Sequence, residues 1–341
     1  ACVVGEGDET VVDLYKAVTD GKDVSEVPGL ATRSDHGPQR KNLRKRVKNI
    51  DEFQVDWDQV PVESYLNEKS GMNTLNLRAM PILASRGCPY QCTFCSSPTM
   101  WGTNYYTRKP ENIVKEMIEL KKRFNVEHFD FTDLSTTVNR KWTIELCSLI
   151  VKAKLGVSWQ FGPGTRSEVF NENVFDLFKK SNIYKVSFAP ESGSKETVKK
   201  IKKNINLDKM YDSIKLAVKM KIHTKCQFIM GMPEQTKKEM LESSWFIIKL
   251  AWIGVDDLSI YVFSPYPGSE ISRGLEEEGY DISDNDYANM VYTRINNTSM
   301  PESQVIKHSR LTLFIFTTFL MMVSYSINYI FHPKRLLLII I

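Results

Sequence analysis

The chain has 341 residues, of which 42% are hydrophobic and 25% are charged, and this globular composition excludes an intrinsically disordered chain. Lysine and arginine number 45 against 41 aspartate and glutamate residues, giving a net charge of +4. This charge is too small to indicate nucleic-acid binding, so we expect no nucleic-acid partner.

The chain opens with a predicted short strand and helix at residues 1–35. The run GEGDE at residues 5–9 follows two valines and forms a glycine- and acid-rich turn. Such a turn lets a ligand approach the backbone at the end of a parallel strand, although many folds share this device. Because the chain opens inside a strand-like run without an initiator methionine, we interpret it as lacking its N-terminal part. Residues 36–75 are interpreted as a linker.

Six βα units are predicted between residues 76 and 275, where β-rich runs alternate with amphipathic stretches. The fold class is therefore α/β with a parallel sheet. Because loops at the carboxyl ends of parallel strands build active sites, the six loops should meet in one pocket. The predicted strands are residues 80–85, 128–132, 158–161, 185–189, 225–230 and 258–263, and the principal helices are 110–124, 140–155, 171–180, 207–220 and 236–251.

The first of these loops carries GCPYQCTFC at residues 87–95, which places Cys88, Cys92 and Cys95 within eight positions. Three cysteines on so short a loop form no useful disulfide framework, which favours a metal site. Structural zinc needs a fourth ligand, and no further Cys or His follows within roughly thirty residues. A [4Fe–4S] cluster held by three thiolates keeps one iron free for a ligand with an amine and a carboxylate. A non-catalytic iron–sulfur or zinc module remains the alternative.

With this motif on the first loop, residues 75–275 resemble the radical SAM superfamily, whose signature is this cysteine spacing with an aromatic residue before the last cysteine. Three later segments also resemble the family: FDFTDLS (129–135), FAPESGSKETVKKIKK (188–203) and FIMGMPEQT (228–236). The resemblance implies a partial (β/α)6 barrel in which Cys88, Cys92 and Cys95 hold the cluster. It also implies that S-adenosylmethionine (SAM) binds the free iron and is reductively cleaved to a 5′-deoxyadenosyl radical.

The resemblance also implies roles for four residues that would contact SAM. Phe94 would lie by the adenine, Asp133 would meet the methionyl amine, Glu191 would reach the ribose hydroxyls and Arg166 would pair with the carboxylate. The second motif departs from the family in that Asp133 is followed by Leu134, where related proteins often have a second carboxylate. No other residue is assigned a catalytic role.

More ordinary roles are open for these polar residues. Asp133 and Glu191 could cap strand ends or place charge at a helix N-terminus, and Arg166 could pair with Glu168. The matching order of the motifs along the chain favours the SAM-binding roles for Asp133 and Glu191.

Residues 1–35 resemble the last strand and helix of the flavodoxin-like cobalamin-binding domain that precedes the barrel in one large subgroup, and FQVDWDQVPVESYL (53–66) resembles its connector. The resemblance implies cobalamin in the full-length protein. It further implies either methyl transfer or oxidative cyclisation of the kind carried out by the anaerobic magnesium-protoporphyrin cyclase. A methylthiotransferase-like enzyme is an alternative. That class carries three further N-terminal cysteines, whereas only Cys2 precedes Cys88 here. We expect an electron donor such as flavodoxin or ferredoxin.

Residues 276–341 are predicted to form an apolar C-terminal helical extension. The segment 311–331 has 21 residues without a charge, which is long enough to span a bilayer. Its threonine, serine and asparagine residues, together with Pro333, favour a packed or membrane-surface helix instead. We expect contact with a membrane surface through residues 311–341, and a small-molecule or lipid substrate.

The cysteine usage outside the motif predicts a cytoplasmic location, with membrane association through the C-terminal segment. Cys2, Cys147 and Cys226 stand alone in apolar runs, and no cleavable signal peptide opens the sequence. We expect all three to be small core residues in a reducing compartment.

Overall fold

The computed structural model describes residues 1–34, 37–40, 44–67, 77–162, 164–165, 170–279 and 310–333. Its N-terminal part is a three-stranded antiparallel sheet of order β1-β2-β3 with one helix. The domain boundary predicted at residue 35 lies outside the described residues and stays a prediction. The elements of this part and of the connector are β1 (Cys2–Val3), α1 (Asp8–Thr19), β2 (Leu30–Ser34), β3 (Gly37–Arg40) and α2 (Val62–Asn67).

A six-stranded parallel sheet follows, and it confirms the six predicted βα units. Its strand order is β11-β10-β9-β8-β7-β4, so each strand lies beside its sequence neighbour among these six. No described strand joins β11 to β4, and the barrel is therefore open at those two edges. The strands are β4 (Ala79–Ile82), β7 (His128–Phe131), β8 (Ser158–Phe161), β9 (Ile183–Glu191), β10 (His223–Met230) and β11 (Asp257–Val262), with β5 (Ser85–Arg86) and β6 (Tyr106–Thr107) forming a separate ribbon.

The helices begin at recognisable capping residues. Asn139, Asn171 and Asn206 accept backbone hydrogen bonds at the starts of α5, α6 and α8, and Thr236 forms a capping box with Glu239 at the start of α9. The predicted helix boundaries are therefore met within about two residues. These helices are α3 (Ser97–Trp101), α4 (Pro110–Phe124), α5 (Arg140–Ala153), α6 (Glu172–Lys180), α7 (Lys195–Lys200), α8 (Leu207–Lys219), α9 (Lys237–Ile253) and α10 (Glu270–Glu277).

The two faces of the sheet differ in chemistry because side chains alternate along each strand. The outward face packs under the helices and is aromatic; Trp159, for example, makes edge-to-face contacts with Phe131 and Phe161. The inward face carries polar residues, among them Lys225, which pairs with Asp257 at 2.9 Å. The apolar contacts that stabilise the barrel thus lie between the sheet and the outer helices, and its interior contains polar groups.

The C-terminal helix α11 (Arg310–Phe331) packs along the open edge of β11 and against α9. Tyr325 donates to the Asp257 carboxylate at 3.1 Å, and buried Asn328 donates to the Val255 carbonyl at 2.5 Å. Asn328, one of the polar residues that weakened the prediction of a transmembrane span, therefore fastens the helix to the barrel. By length and composition, Thr312–Phe331, with mean hydropathy 1.6, is also the one described helix that could cross a membrane.

The lone cysteines differ from expectation at one position. Cys147 and Cys226 are fully buried, as predicted for core residues, but Cys2 is exposed. The apolar run around Cys2 forms a two-residue edge strand, which is too short to cover the side chain.

Packing of α11 on the barrel can be tested with two adjacent residues of that helix. Leu320 is 5% exposed, whereas Phe319 is 60% exposed. We expect Leu320→Ala to lower the free energy of unfolding by about 2–4 kcal/mol, because it leaves a cavity in the core. Phe319→Ala should change it by less than about 1 kcal/mol. Urea denaturation measures both, and equal effects would contradict the packing.

Candidate active site

The cysteine motif lies on a loop that leaves the barrel through the β5–β6 ribbon. Two backbone hydrogen bonds fix the middle of this loop. The Thr93 amide donates to the Ile201 carbonyl, and the Ile271 amide donates to the Thr93 carbonyl, each at 3.0 Å. The loop is thus tied to the elements that follow β9 and β11, on the side of the barrel where the predicted loops meet.

The three thiols of the motif form no disulfide and are half-buried. The Cys95 amide donates to the Cys92 carbonyl at 3.1 Å, and the Ser97 amide donates to Cys95 Sγ at 3.4 Å. Burial raises the pKa of Cys92 to about 11; the Lys203 ammonium opposes this rise, while the Cys95 and Cys88 thiols add to it. The three thiols therefore share one electrostatic environment.

This donor set fits an iron–sulfur cluster. A single zinc ion holds its sulfur ligands at about 2.3 Å, and hence about 4 Å from one another. Among the described residues, no three His, Cys, Asp or Glu side chains converge in this way. In a cluster each thiolate binds a different iron, so three sulfurs on one loop need not meet at one point. Binding would also have to remove the proton that burial stabilises on Cys92.

Asp133 follows β7 and is 1% exposed. Its Oδ1 accepts hydrogen bonds from the Ala84 amide at 2.9 Å, the Ser85 hydroxyl at 2.7 Å and the Ser85 amide. Its Oδ2 is buried without a hydrogen-bond partner among the described residues. Burial raises the pKa of this carboxyl to about 6, against the lowering effect of the Ser85 and Ala84 hydrogen bonds. One oxygen therefore anchors the base of the cysteine loop, and the other has no hydrogen-bond partner among the described residues.

Glu191 ends β9 in the left-handed region of backbone space, with φ of 61°. A non-glycine residue there carries strain of order 1 kcal/mol, and such residues cluster at functional sites. Its carboxylate pairs with Lys203 at 2.5 Å, and both residues are at most 9% exposed. Lys203 also lies 6.0 Å from the ring centre of Phe94. Glu191 and Phe94 are thus brought together, with a buried lysine between them.

The acidic turn near the N-terminus reaches the same loop. Arg86, two residues before Cys88, forms a two-pronged ion pair with Asp8, at 2.6 and 3.0 Å. Arg46 pairs with Glu6 at 3.0 Å and donates to two carbonyl groups of the cysteine loop. The turn interpreted as part of a cobalamin-binding domain is therefore in direct contact with the base of the cysteine loop. Its assignment to such a domain remains a prediction.

A cavity of about 540 Å³ opens beside Phe94 and Glu191 and extends along β10 and β11 to α11. It therefore adjoins two of the residues predicted to bind SAM. Arg166, the predicted partner of the SAM carboxylate, lies outside the described residues, so its role stays a prediction.

Sequence reasoning missed two features of the site. Lys203 was present in the matched segment 188–203, but one of seven lysines and glutamates in that run gives no signal that it is buried. The pairing of Asp8 with Arg86 joins residues 78 positions apart, and no local pattern reports such a contact. In both cases the sequence does not reveal which charged residues pair with each other in the folded chain.

The chain is similar to proteins of one superfamily. The sequence profile of the radical SAM superfamily matches residues 82–244. An uncharacterized methyltransferase of Pyrococcus horikoshii is 28% identical over 272 residues, covering 80% of this chain and 57% of that protein. The anaerobic magnesium-protoporphyrin IX monomethyl ester cyclase of Rubrivivax gelatinosus is 28% identical over 284 residues, covering 82% and 49% respectively. The chain thus spans about half the length of these relatives.

A solved structure shares the fold. It is the radical SAM methyltransferase TsrM of Kitasatospora setae with cobalamin and a [4Fe–4S] cluster bound, and it superposes with a TM-score of 0.66. The identity is 18%, and the match covers 81% of this chain and 55% of that one. At this identity the likeness concerns the fold alone.

The buried carboxyl of Asp133 predicts a pH dependence of stability. Its pKa is about 6 in the folded protein against an ordinary value of 3.8, so folding favours the protonated form. The stabilisation is present below about pH 4 and is lost as the pH rises through 6. Relative to Asp133→Asn, wild type should lose roughly 2.4 kcal/mol between pH 4 and pH 7, measured by urea denaturation.

Asp130 supplies a control of opposite sign. Burial opposes its ionisation, but hydrogen bonds from His128 and Gln160 outweigh burial and lower its pKa. Its stabilisation is present above the unfolded pKa and is lost as the pH falls. Relative to Asp130→Asn, wild type should therefore gain stability as the pH rises. The same trend for both variants would contradict the environment assigned to Asp133.

Proposed function

We propose, from the premise that this chain contains a radical SAM domain at residues 82–244, that it forms the catalytic part of an enzyme that reductively cleaves SAM at a [4Fe–4S] cluster. The observation that carries the proposal is that Asp133 holds Ser85 at the base of the loop that carries the three half-buried thiols, while its second carboxylate oxygen is buried without a partner among the described residues. The radical so formed starts a carbon-centred reaction on a small molecule or lipid.

Each thiol of the motif has a role in holding the cluster. Cys88, Cys92 and Cys95 would hold the cluster, and all three lie half-buried on their loop. When bound, the cluster supplies the electron that cleaves the sulfonium of SAM to methionine and a 5′-deoxyadenosyl radical. The Lys203 ammonium lies close enough to favour the Cys92 thiolate, and so assists loss of the proton that cluster binding requires.

The SAM-binding roles fit the environment of the three described candidates. An ammonium at the free oxygen of Asp133 would satisfy a buried acceptor and stabilise its ionised form. Glu191 keeps one oxygen on Lys203 and has a second oxygen for a ribose hydroxyl. Phe94 packs with Ile201 and Met232 and offers a fixed aromatic surface for the adenine.

Cobalamin-dependent methyl transfer is the reaction we favour, with an oxidative cyclisation as the second candidate. The acidic turn at residues 5–9 touches the cysteine loop through Asp8 and Arg86, so a cofactor held by the upstream domain would adjoin the cluster. Relatives named as a methyltransferase and as a cyclase support both reactions. A reductant such as flavodoxin or ferredoxin would supply the electron.

The enzyme is tested by anaerobic reconstitution with iron and sulfide, followed by reduction and addition of SAM. Wild type should form 5′-deoxyadenosine, detected by mass spectrometry, and Cys92→Ala should form less than a hundredth as much because a cluster ligand is lost. Cys2→Ala removes an exposed cysteine and is the matched control. A loaded cluster that binds SAM without cleaving it would support a non-catalytic module instead.

Asp133→Asn separates SAM binding from cluster formation in the same series. The variant keeps a hydrogen-bond acceptor for Ala84 and Ser85, so the iron content and the cluster spectrum should match those of wild type. Loss of a charge-assisted hydrogen bond costs about 1.5–3 kcal/mol, which is roughly a 10- to 150-fold rise in Kd. Unchanged SAM affinity would remove the amine-binding role from Asp133.

We further propose a cytoplasmic protein that rests on an anionic membrane surface through α9 and α11. Exposed apolar side chains follow one side of both helices, and the two rows meet where Trp252 packs on Phe331 with ring centres 4.3 Å apart. Lys249 lies 5.8 Å from the exposed Trp245 ring, and the sequence continues with Lys334 and Arg335. Aromatic residues flanked by cations suit a bilayer interface.

Co-sedimentation with phosphatidylcholine–phosphatidylglycerol vesicles tests this location. Ile315→Ser with Phe319→Ser should weaken vesicle binding at least tenfold, because each removes a large apolar side chain from the interface. Tyr15→Ser with Val18→Ser alters equally exposed residues on α1 and should have no effect. Equal loss in both double variants, or no vesicle binding by wild type, would contradict the proposal.

A further inference from the structure

We propose that the cavity between β10, β11 and α11 is the substrate site and that it selects an uncharged, largely apolar molecule through the wall supplied by α11. This rests on the proposed function, because the cavity is identified as a substrate site by its position beside Phe94 and Glu191. At about 540 Å³ it has the size of typical small-molecule sites, which range from about 300 to 1,000 Å³.

The walls of the cavity combine apolar and hydroxyl-bearing side chains and come from three elements. β10 supplies Ile229, and β11 supplies Tyr261 and Val262. α11 supplies a stripe of four residues at helical spacing i, i+3, i+4 and i+7, which therefore lie on one side of the helix. The stripe consists of Phe314, Thr317, Thr318 and Met321.

The floor of the cavity is polar without net charge. Gln227 and Ser259 lie opposite each other on β10 and β11, and both line the cavity. The Gln227 side chain forms no hydrogen bond within the described part of the chain. An amide and a hydroxyl at this depth are suited to a hydroxyl or carbonyl group of a ligand.

The charges around the cavity are already paired. Among the described lining residues, Glu191 is the one charged side chain, and it pairs with Lys203 at 2.5 Å. Two residues before Gln227 and Ser259 on β10 and β11, Lys225 pairs with Asp257 at 2.9 Å. Beyond the SAM contacts at Phe94 and Glu191, a charged ligand would lose hydration in this cavity without gaining a counter-ion from the described lining residues. The described lining therefore favours neutral molecules over carboxylates, phosphates and amines as substrates.

The wall is held in place by specific packing. Gly231, at φ of 78°, lies under the first turn of α11, where a Cβ atom would come within 2.5 Å of Leu313 Cδ1. Near the other end, Asn328 donates to the Val255 carbonyl. Because both ends are fastened to the barrel, the stripe that faces the cavity has a fixed position, as specificity requires.

Two adjacent methionines provide a matched test. Met321 lines the cavity, whereas Met322 is 57% exposed. The cluster-loaded protein is titrated with Nile red, a neutral apolar fluorophore, and with 11-(dansylamino)undecanoate, an anionic one. Met321→Trp should weaken Nile red binding at least tenfold by filling the cavity, while Met322→Trp should stay within twofold of wild type. Wild type should bind the anionic probe at least tenfold more weakly than Nile red.

Several outcomes overturn the inference. They are equal Nile red affinity in wild type and Met321→Trp, loss of binding in Met322→Trp instead, or preference for the anionic probe. If Met321→Trp does not fold, Thr318→Phe fills the same cavity and takes its place. Formation of 5′-deoxyadenosine is measured separately in wild type and Met322→Trp. Its absence contradicts the proposed function, whereas cleavage of SAM without Nile red binding contradicts the substrate site alone.

Discussion

The buried carboxylate of Asp133 joins the two parts of the molecule on which the site depends. It follows the second strand of the parallel sheet, and its Oδ1 holds the Ala84 and Ser85 amides at the exit of the first strand. The ribbon and the cysteine loop start from that point, so their position relative to the barrel depends on this contact. A charge at 1% exposure is costly unless it is compensated, and only one of its oxygens has partners among the described residues. One oxygen of this carboxylate thus has a structural role, and the other has no hydrogen-bond partner among the described residues.

The open edge of the sheet imposes a second constraint. A parallel strand with an unpaired edge exposes backbone groups and apolar side chains, and β11 is covered on that side by α11. Covering the edge with a helix also encloses space between helix and strands, which a seventh strand in the sheet would not. The cavity therefore exists because a helix, and not a seventh strand, covers the β11 edge. Phe314 lines it and is 37% exposed, so the cavity meets the exposed apolar side of the helix. An apolar molecule at a membrane surface would have a short route into it.

The sequence predicted the units of the fold well because their signals are local. Asparagine and threonine caps mark the starts of α5 and α9, and the alternation in β10 separates Phe228 from Gln227 within one strand. The cysteine spacing likewise indicated its chemistry without any tertiary information. Residues 311–331 do not indicate which part of the barrel α11 covers, since an apolar helix suits a core, a groove and a bilayer equally. The Glu191–Lys203 pair was hidden for a similar reason, because a run rich in lysine and glutamate is usually solvent-exposed.

The contact between the N-terminal turn and the cysteine loop shows how two distant segments come to form one site. Gly87 has φ of 86° and leaves no room for a Cβ atom, because Arg46 and the Asn104 carbonyl approach it closely. Glu6 pairs with Arg46 at that position, and Asp8 pairs with Arg86, the residue before Gly87. The first residues of the cysteine loop are therefore shaped by acids from residues 5–9. A ligand that displaced this turn would move the loop that carries Cys88. A change in the N-terminal part would therefore reach the thiols through this contact and not through the barrel.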